Sequence, residues 1–239
     1  MRLDLQTFTD NLHSVQKRIT DTATRAGRDP AEIRLMAVTK TFPPAYIEVA
    51  RQAGLTLFGE NRVQEAQEKY QTLVTAPDLE LHLIGHLQRN KAKIAASLFL
   101  CVQSIDKLQT AEALNRHCAE IGRTMDILLE LNTSGEASKF GFNEAEELWR
   151  VCGEIASLDS LRIRGVMTVG PFTADRDRIR RAFADLRDCL DGLRSRFPEL
   201  PLDTLSMGMS GDFEIAVEEG ATCIRLGTIL FGSRGEVDE

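Results

Sequence analysis

The feature that most constrains this chain is a repeated alternation, in which short runs rich in Val, Ile, Leu and Phe are each followed by a longer stretch of helical period. Strands are predicted near Arg34–Thr39, Leu55–Phe58, Glu80–Ile84, Leu98–Val102, Met125–Leu131, Arg162–Met167, Thr204–Met207 and Thr222–Leu226. Helices are predicted near Pro44–Ala53, Val63–Val74, Gln88–Ala96, Lys107–Ile121, Glu144–Ser157, Asp175–Phe197 and Asp212–Glu219, with Asn143 placed to cap the fifth of these. A unit of strand then helix implies a parallel sheet, because the helix carries the chain back to start the next strand in the same direction. Eight such strands either close into a (β/α)8 barrel or lie in an open doubly wound sheet. The G-x-G-x-x-G turn that favours an open dinucleotide-binding sheet is missing after the first strand. The reading is therefore α/β, a single TIM-type barrel domain over residues 1–239. Ahead of the first strand, Leu5, Phe8, Leu12, Val15, Ile19 and Ala23 recur at helical steps, and Gly27 with Pro30 marks the end. Residues 1–27 are expected to form an added helix outside the barrel.

Composition narrows the classes of function. With 239 residues, 43% apolar and 27% charged, the chain can bury a core. Its 29 basic against 36 acidic residues give a net charge of −7, which argues against a nucleic-acid partner. The basic run at Arg176, Arg178, Arg180 and Arg181 is interleaved or followed by Asp175, Asp177, Asp185 and Asp188 and reads as a solvated helix face. No run approaches the ~18 apolar residues of a membrane helix, and Met1-Arg2-Leu3-Asp4 does not open a signal peptide. Cys101, Cys118, Cys152, Cys189 and Cys223 are scattered and never spaced C-x-x-C, so reduced buried thiols and a cytoplasmic location are expected. His82 and His86 stand four apart but lack a nearby third ligand, so no metal site is expected. His86 is expected to border a pocket, and His82 to pack or face solvent.

In such barrels chemistry gathers at the carboxyl ends of the strands. The predicted ends offer Lys40, Gly59-Glu60-Asn61, Gly85-His86, Ser104 and Asp106, Asn132, Thr168, Ser210 and Gly227-Thr228. Lys40 follows an apolar strand that carries its ammonium toward the interior. Desolvation lowers an ammonium's pKa, and the neutral amine adds to carbonyls to form a Schiff base. The alternative is a strand-end lysine whose head reaches water. Ser206-Met207-Gly208-Met209-Ser210-Gly211-Asp212 leads into a helix with Ser210 at an apparent N-cap, and Arg225-Leu226-Gly227-Thr228 ends the last strand. Loops after strands seven and eight are the recurrent phosphate site of these barrels. Arg225 lies among apolar neighbours and needs a partner if buried. A reactive lysine facing a phosphate cradle suits a phosphorylated aldehyde. Pyridoxal phosphate is one such compound, and a Schiff-base aldolase acting on a sugar phosphate fits the same residues.

The stretches Ala37-Val38-Thr39-Lys40, Phe58-Gly59-Glu60-Asn61-Arg62-Val63-Gln64-Glu65, His82-Leu83-Ile84-Gly85-His86-Leu87-Gln88-Arg89-Asn90-Lys91, Ser206–Phe213 and Arg225–Gly232 resemble, in order, motifs of the pyridoxal phosphate homeostasis protein family, related to the barrel domain of alanine racemase. The resemblance runs from about Arg34 to Arg234. It implies that Lys40 carries pyridoxal phosphate as an internal aldimine, and that Ser210 with the backbone of Gly227 and Thr228 holds the phosphate. Arg225 would face the pyridine nitrogen, Asn61 would line the pocket, and Met207 and Met209 would pack nearby. Glu136-Ala137-Ser138-Lys139-Phe140-Gly141 resembles a further family stretch, with Phe140 where a smaller residue is expected. The resemblance also implies a cofactor carrier without turnover, serving pyridoxal-phosphate-dependent apoenzymes. A racemase needs a base on each face of the substrate carbon, and here only Lys40 stands out. A single-domain racemase is the enzymatic alternative. A complete rim within one chain suits a monomer, and Lys91 and Lys139 are candidates for secondary attachment.

Overall fold

We describe a computed structural model over residues 3–71, 79–136 and 138–232. Eight parallel strands close into a barrel in chain order: β1 (Arg34–Val38), β2 (Leu57–Glu60), β3 (Glu80–Leu83), β4 (Cys101–Ile105), β5 (Met125–Glu130), β6 (Leu161–Met167), β7 (Thr204–Ser206) and β8 (Cys223–Leu226). Closure is made by β8 on β1, where Leu35 lies opposite Ile224 and Ala37 opposite Leu226. Around the barrel run α1 (Leu5–Arg25), α2 (Pro44–Gln52), α3 (Val63–Gln71), α4 (Ala92–Leu98), α5 (Leu108–Glu120), α6 (Ala145–Ala156), α7 (Arg176–Arg196), α8 (Phe213–Glu218) and α9 (Thr228–Phe231). The expected TIM-type barrel with an added N-terminal helix is what forms.

Period-two alternation divides each strand between two cores. Ala37, Phe58, Leu81, Leu83, Ile127, Leu129, Leu205, Ile224 and Leu226 join the large apolar cluster that packs the helices against the sheet. The alternate residues fall in two small clusters, Met36 with Leu57 and Cys223, and Cys101 with Leu128 and Met167. Between them lies a polar chain. His82 and Gln103 meet at 3.0 Å, Ser206 Oγ donates to Gln103 Oε1 at 2.7 Å, and Arg225 Nη1 donates to Ser206 Oγ at 2.7 Å. The barrel interior is thus partly polar, and His82, Gln103, Ser206 and Arg225 partner one another along this row, as burial requires.

Several expected boundaries shift. The second strand begins at Leu57 and continues through Gly59 and Glu60, not Leu55–Phe58. Glu60 is fully buried and stays in the ladder because Lys69 Nζ reaches its carboxylate at 3.1 Å. The fourth strand is Cys101–Ile105, not Leu98–Val102, because Leu98 ends α4. Its polar residues read as loop, yet Gln103 bonds inside the barrel and Ser104 Oγ donates to Gly85 O at 2.7 Å. The predicted helix near Gln88–Ala96 is a 3-10 turn, Arg89–Lys91, followed by α4. Glu144, not Asn143, occupies the N-cap of α6, without a side-chain bond. Residues 72–74 of the helix predicted over 63–74, and 233–234 of the resemblance, lie outside the described residues. All five cysteines are free and buried. Among the described residues no cluster could hold a metal ion, and no helix is long and apolar enough to cross a membrane.

Candidate functional site

At the carboxyl ends of the strands the chain leaves a cavity of about 440 Å³ lined by Val38, Lys40, Phe42, Asn61, Ile84, Val169, Phe172, Met209, Ser210, Gly211, Arg225, Gly227 and Thr228. Six of the seven residues expected at the site, Lys40, Asn61, Ser210, Arg225, Gly227 and Thr228, therefore line one cavity. Met207 does not. It is fully buried in the apolar core behind the wall, and Met209 takes the lining position. A second cavity, about 600 Å³, shares Asn61, Ile84 and Val169 with the first and extends it past His86, Lys91, Glu130, Lys139 and Phe140. A larger cavity of about 630 Å³ opens at the opposite end of the barrel. Its charges are already matched, with Arg34 on Glu80 and Arg162 on Asp126, and the strand-end groups are remote from it, so the chemistry belongs to the carboxyl end.

Lys40 follows β1 in the same alternation as Met36 and Val38, which aims it into the barrel mouth, while Thr39 turns outward. Thr39 Oγ1 donates to Glu60 Oε1 at 2.7 Å, and Lys69 Nζ donates to the carbonyl of Thr39, also at 2.7 Å. Thr41 has φ of 67°, the only positive value for a non-glycine among the described residues. Its N–H donates to Glu65 Oε1 at 2.5 Å. Burial pushes the Glu60 carboxyl above its ordinary range despite Lys69. Glu65 is also partly buried, but hydrogen bonds from Lys69 and the Thr41 N–H outweigh that and hold it below the usual range.

On the far wall Ser210 and the start of α9 meet. Ser210 is not the cap of α8, as expected from sequence. Asp212 holds that position, and its Oδ1 accepts from Met209 N at 2.5 Å, folding the loop so that Ser210 faces the cavity. The N–H of Ile229 lies 3.4 Å from Ser210 Oγ, which places that hydroxyl at the start of α9. The sequence reading missed α9 because its four residues carry no period, yet Gly227-Thr228 at its start was singled out. Arg225 is buried, and besides Ser206 its Nη2 donates to Thr168 O at 2.6 Å. Burial lowers its pKa from the ordinary arginine value.

Three predicted rim groups, Glu60, Ser104 and Thr168, are buried supports instead of lining residues. His86 borders the second cavity, as expected. Its ring stacks on Phe140 at 3.9 Å, and Nδ1 lies 3.1 Å from Asp106. His82 is buried inside the barrel, and desolvation brings its pKa down to about 3, which keeps it neutral. Lys139 Nζ is engaged by Gly170 O at 2.8 Å and Glu136 at 3.1 Å. Glu130, which sequence reasoning missed, ends β5 almost fully buried and lines the second cavity. Burial, together with the charge on Asp106, raises its carboxyl to about 7, against the pull of Arg225. Only its alternation with Leu128 inside β5 could have pointed to it.

A barrel with a lysine after the first strand, and with small residues and a helix start after the last two, defines a class. The sequence matches the alanine racemase N-terminal domain family across residues 3–235, and the chain belongs to that family. Within it, the chain is one of the pyridoxal phosphate homeostasis proteins. It is 43% identical over 230 residues to the pyridoxal phosphate homeostasis protein of Pseudomonas aeruginosa, covering 96% of this chain and 97% of that one. Among solved structures, an unknown protein from Bifidobacterium adolescentis superposes with a TM-score of 0.88 at 36% identity, over 96% of this chain and 98% of that one. PipY of Synechococcus elongatus PCC7942, solved with pyridoxal phosphate bound, gives 0.83 at 36% identity, over 94% and 100% of the two chains.

Proposed function

We propose that this chain binds pyridoxal 5'-phosphate as a Schiff base on Lys40, stores it and hands it on to dependent apoenzymes, without turning over a substrate of its own. The observation that carries this reading is the single cavity in which Lys40 faces Ser210, Gly227, Thr228 and Arg225. An amine on one wall and a hydroxyl with a helix start on the other match the aldehyde and the phosphate at the two ends of one small molecule. The donor set fits the group. Ser210 and the backbone of Gly227 and Thr228 would hold the phosphate, and Asn61 and Met209 would flank the ring. Arg225, which cannot accept a proton, would face the ring nitrogen and disfavour its protonation. When bound, pyridoxal phosphate supplies an electron sink, and an arginine at its nitrogen weakens that sink. This favours holding over catalysis. Since every one of these groups comes from one chain, a monomer suffices, and the free buried cysteines support a cytoplasmic location.

The test is the visible spectrum of the protein with pyridoxal phosphate, before and after borohydride reduction, with the adduct mapped by mass spectrometry. A Schiff-base band that reduces onto Lys40 and is lost in Lys40→Ala is expected. A protein that stays colourless with added pyridoxal phosphate overturns the reading. Entry of solvent deuterium at the α-carbon of an amino acid at a useful rate would show a racemase-like enzyme instead.

A further inference from the structure

A buried ion network sits directly behind Lys40 and touches the chain on both sides of it. Lys69 Nζ donates to Thr39 O at 2.7 Å, to Glu60 Oε1 at 3.1 Å and to Glu65 Oε1 at 2.5 Å. Glu65 Oε1 in turn accepts from the N–H of Thr41 at 2.5 Å. Thr39 is therefore held through its carbonyl by Lys69 and through its hydroxyl by Glu60, while Thr41 is held through its amide by Glu65. Lys40 is the residue between the two grips. The next residue, Thr41, has a φ of 67°, a conformation that a β-branched residue resists because a positive φ brings Cβ against the carbonyl. Such a conformation persists only where surrounding contacts over-determine it, and strained residues of this kind cluster at functional sites.

The network is also a costly thing to bury. Glu60 is fully buried and Lys69 nearly so, and a buried ion pair of this kind is often no more stabilising than well-packed apolar residues. Its three charged groups, Glu60, Glu65 and Lys69, converge on one peptide segment, so its value lies in what that segment does. A catalytic or binding group must be held within about 0.5 Å of its working position by partners that are themselves fixed. α3 supplies both Glu65 and Lys69, one turn apart, so a single rigid element fixes the turn that aims Lys40.

We propose that Glu65 and Lys69 are positioning residues that hold the Thr39–Lys40–Thr41 turn, with Thr41 in its left-handed conformation, and thereby set how fast Lys40 captures an aldehyde in the cavity. This rests on the reading of Lys40 as the attachment lysine. Neither residue lines the cavity. They act through the backbone of Lys40.

The test compares wild type, Glu65→Ala and Glu65→Gln in the rate at which the Schiff-base band forms with pyridoxal phosphate, with thermal midpoints recorded beside it. Removing the acceptor should slow band formation at least tenfold, well below the unfolding temperature. The Gln variant keeps an oxygen for the Thr41 N–H and should recover to within about threefold of wild type. Amide exchange at Thr41 should quicken in Glu65→Ala and stay protected in Glu65→Gln. If Glu65→Ala does not fold, Glu60→Gln combined with Lys69→Met releases the Thr39 carbonyl without leaving Glu60 as a buried unpaired charge, while Glu65, which is partly exposed, keeps the Thr41 N–H, and at least a fivefold slowing is expected. A Glu65→Ala protein with a lowered thermal midpoint but a rate within twofold of wild type overturns the positioning role. If wild type itself forms no adduct at Lys40, it is the attachment reading that fails, and this role with it.

Discussion

Glu130 shows how much one buried carboxyl at the barrel mouth can impose on the molecule. Its carboxyl is raised from 4.5 to about 7 in the folded chain. Between those two values the folded state binds a proton that the unfolded state has released, so stability falls as the pH rises from 4.5 through 7. Below 4.5 both states are protonated and the penalty is absent. A shift of this size corresponds to roughly 1–3 kcal/mol at pH 8, the lower end reflecting the water-accessible cavity beside it. Glu130→Gln has nearly the same shape and does not ionise. Its thermal midpoint should exceed that of wild type at pH 8 and converge on it near pH 4. A gap of equal size at both pH values would falsify the assignment to Glu130 ionisation. The residues of the site differ in how far sequence exposes them. Lys40, Ser210 and Gly227-Thr228 are legible because strand ends and small-residue turns have a one-dimensional signature. Glu130 and the Glu60–Lys69 pair are not, because whether a charge is buried depends on which helix lies over it. Met207 misled for a related reason. It sits one residue from the loop that reaches the cavity, and alternation sends it into the core.

At the scale of the element, strand ends moved where polar residues continued a ladder. The apolar runs marked every strand but under-read β2 and β4, since Glu60 is satisfied by Thr39 and by Lys69 of α3, Gln103 inside the barrel and Ser104 by the Gly85 carbonyl. β6 carries the opposite lesson. The register between β5 and β6 slips between Ile127 and Leu128, with Ile163 and Gly165 as their partners and Arg164 left over. Gly165 has φ of 151°, and a Cβ placed on it would lie 1.8 Å from Thr204 O on β7. No rotamer relieves a clash with backbone. Gly165→Ala is therefore expected to destabilise the barrel by more than about 3 kcal/mol, read as a large drop in urea midpoint. Gly211→Ala meets open space and should change stability by no more than about 0.5 kcal/mol, read as a nearly unmoved urea midpoint. Equal midpoints for the two variants would mean that the β6–β7 seam can give way.

At the scale of the whole molecule, α1 is more than an appendage to the barrel. Sequence period revealed the helix and its buried stripe but could not say which seam it covers, because an amphipathic face does not name its partner. In the structure it lies against α8, α9 and α2. Phe8 packs on Phe231 of α9 with ring centroids 5.3 Å apart, and Phe231 packs on Phe42 at 5.0 Å. Asn11 Nδ2 donates to Leu230 O at 3.0 Å, and Arg18 Nε meets Glu214 of α8 at 3.0 Å. Phe42 lines the cavity two residues after Lys40, and α9 begins at the proposed phosphate cradle. One aromatic row thus runs from α1 to both walls of the site. Phe8→Ala should cost about 3–5 kcal/mol of stability by opening a cavity under that row, and should also speed release of pyridoxal phosphate. Ile155, equally buried on α6, makes the comparison decisive. Ile155→Ala should cost about 2–5 kcal/mol while leaving release unchanged, because α6 lies against the β5–β6 side of the barrel. Urea unfolding gives the first quantity and decay of the Schiff-base band under dilution gives the second. If the two variants release cofactor at the same rate once compared at equal stability, the aromatic row carries packing alone, and α1 has no particular hold on the site.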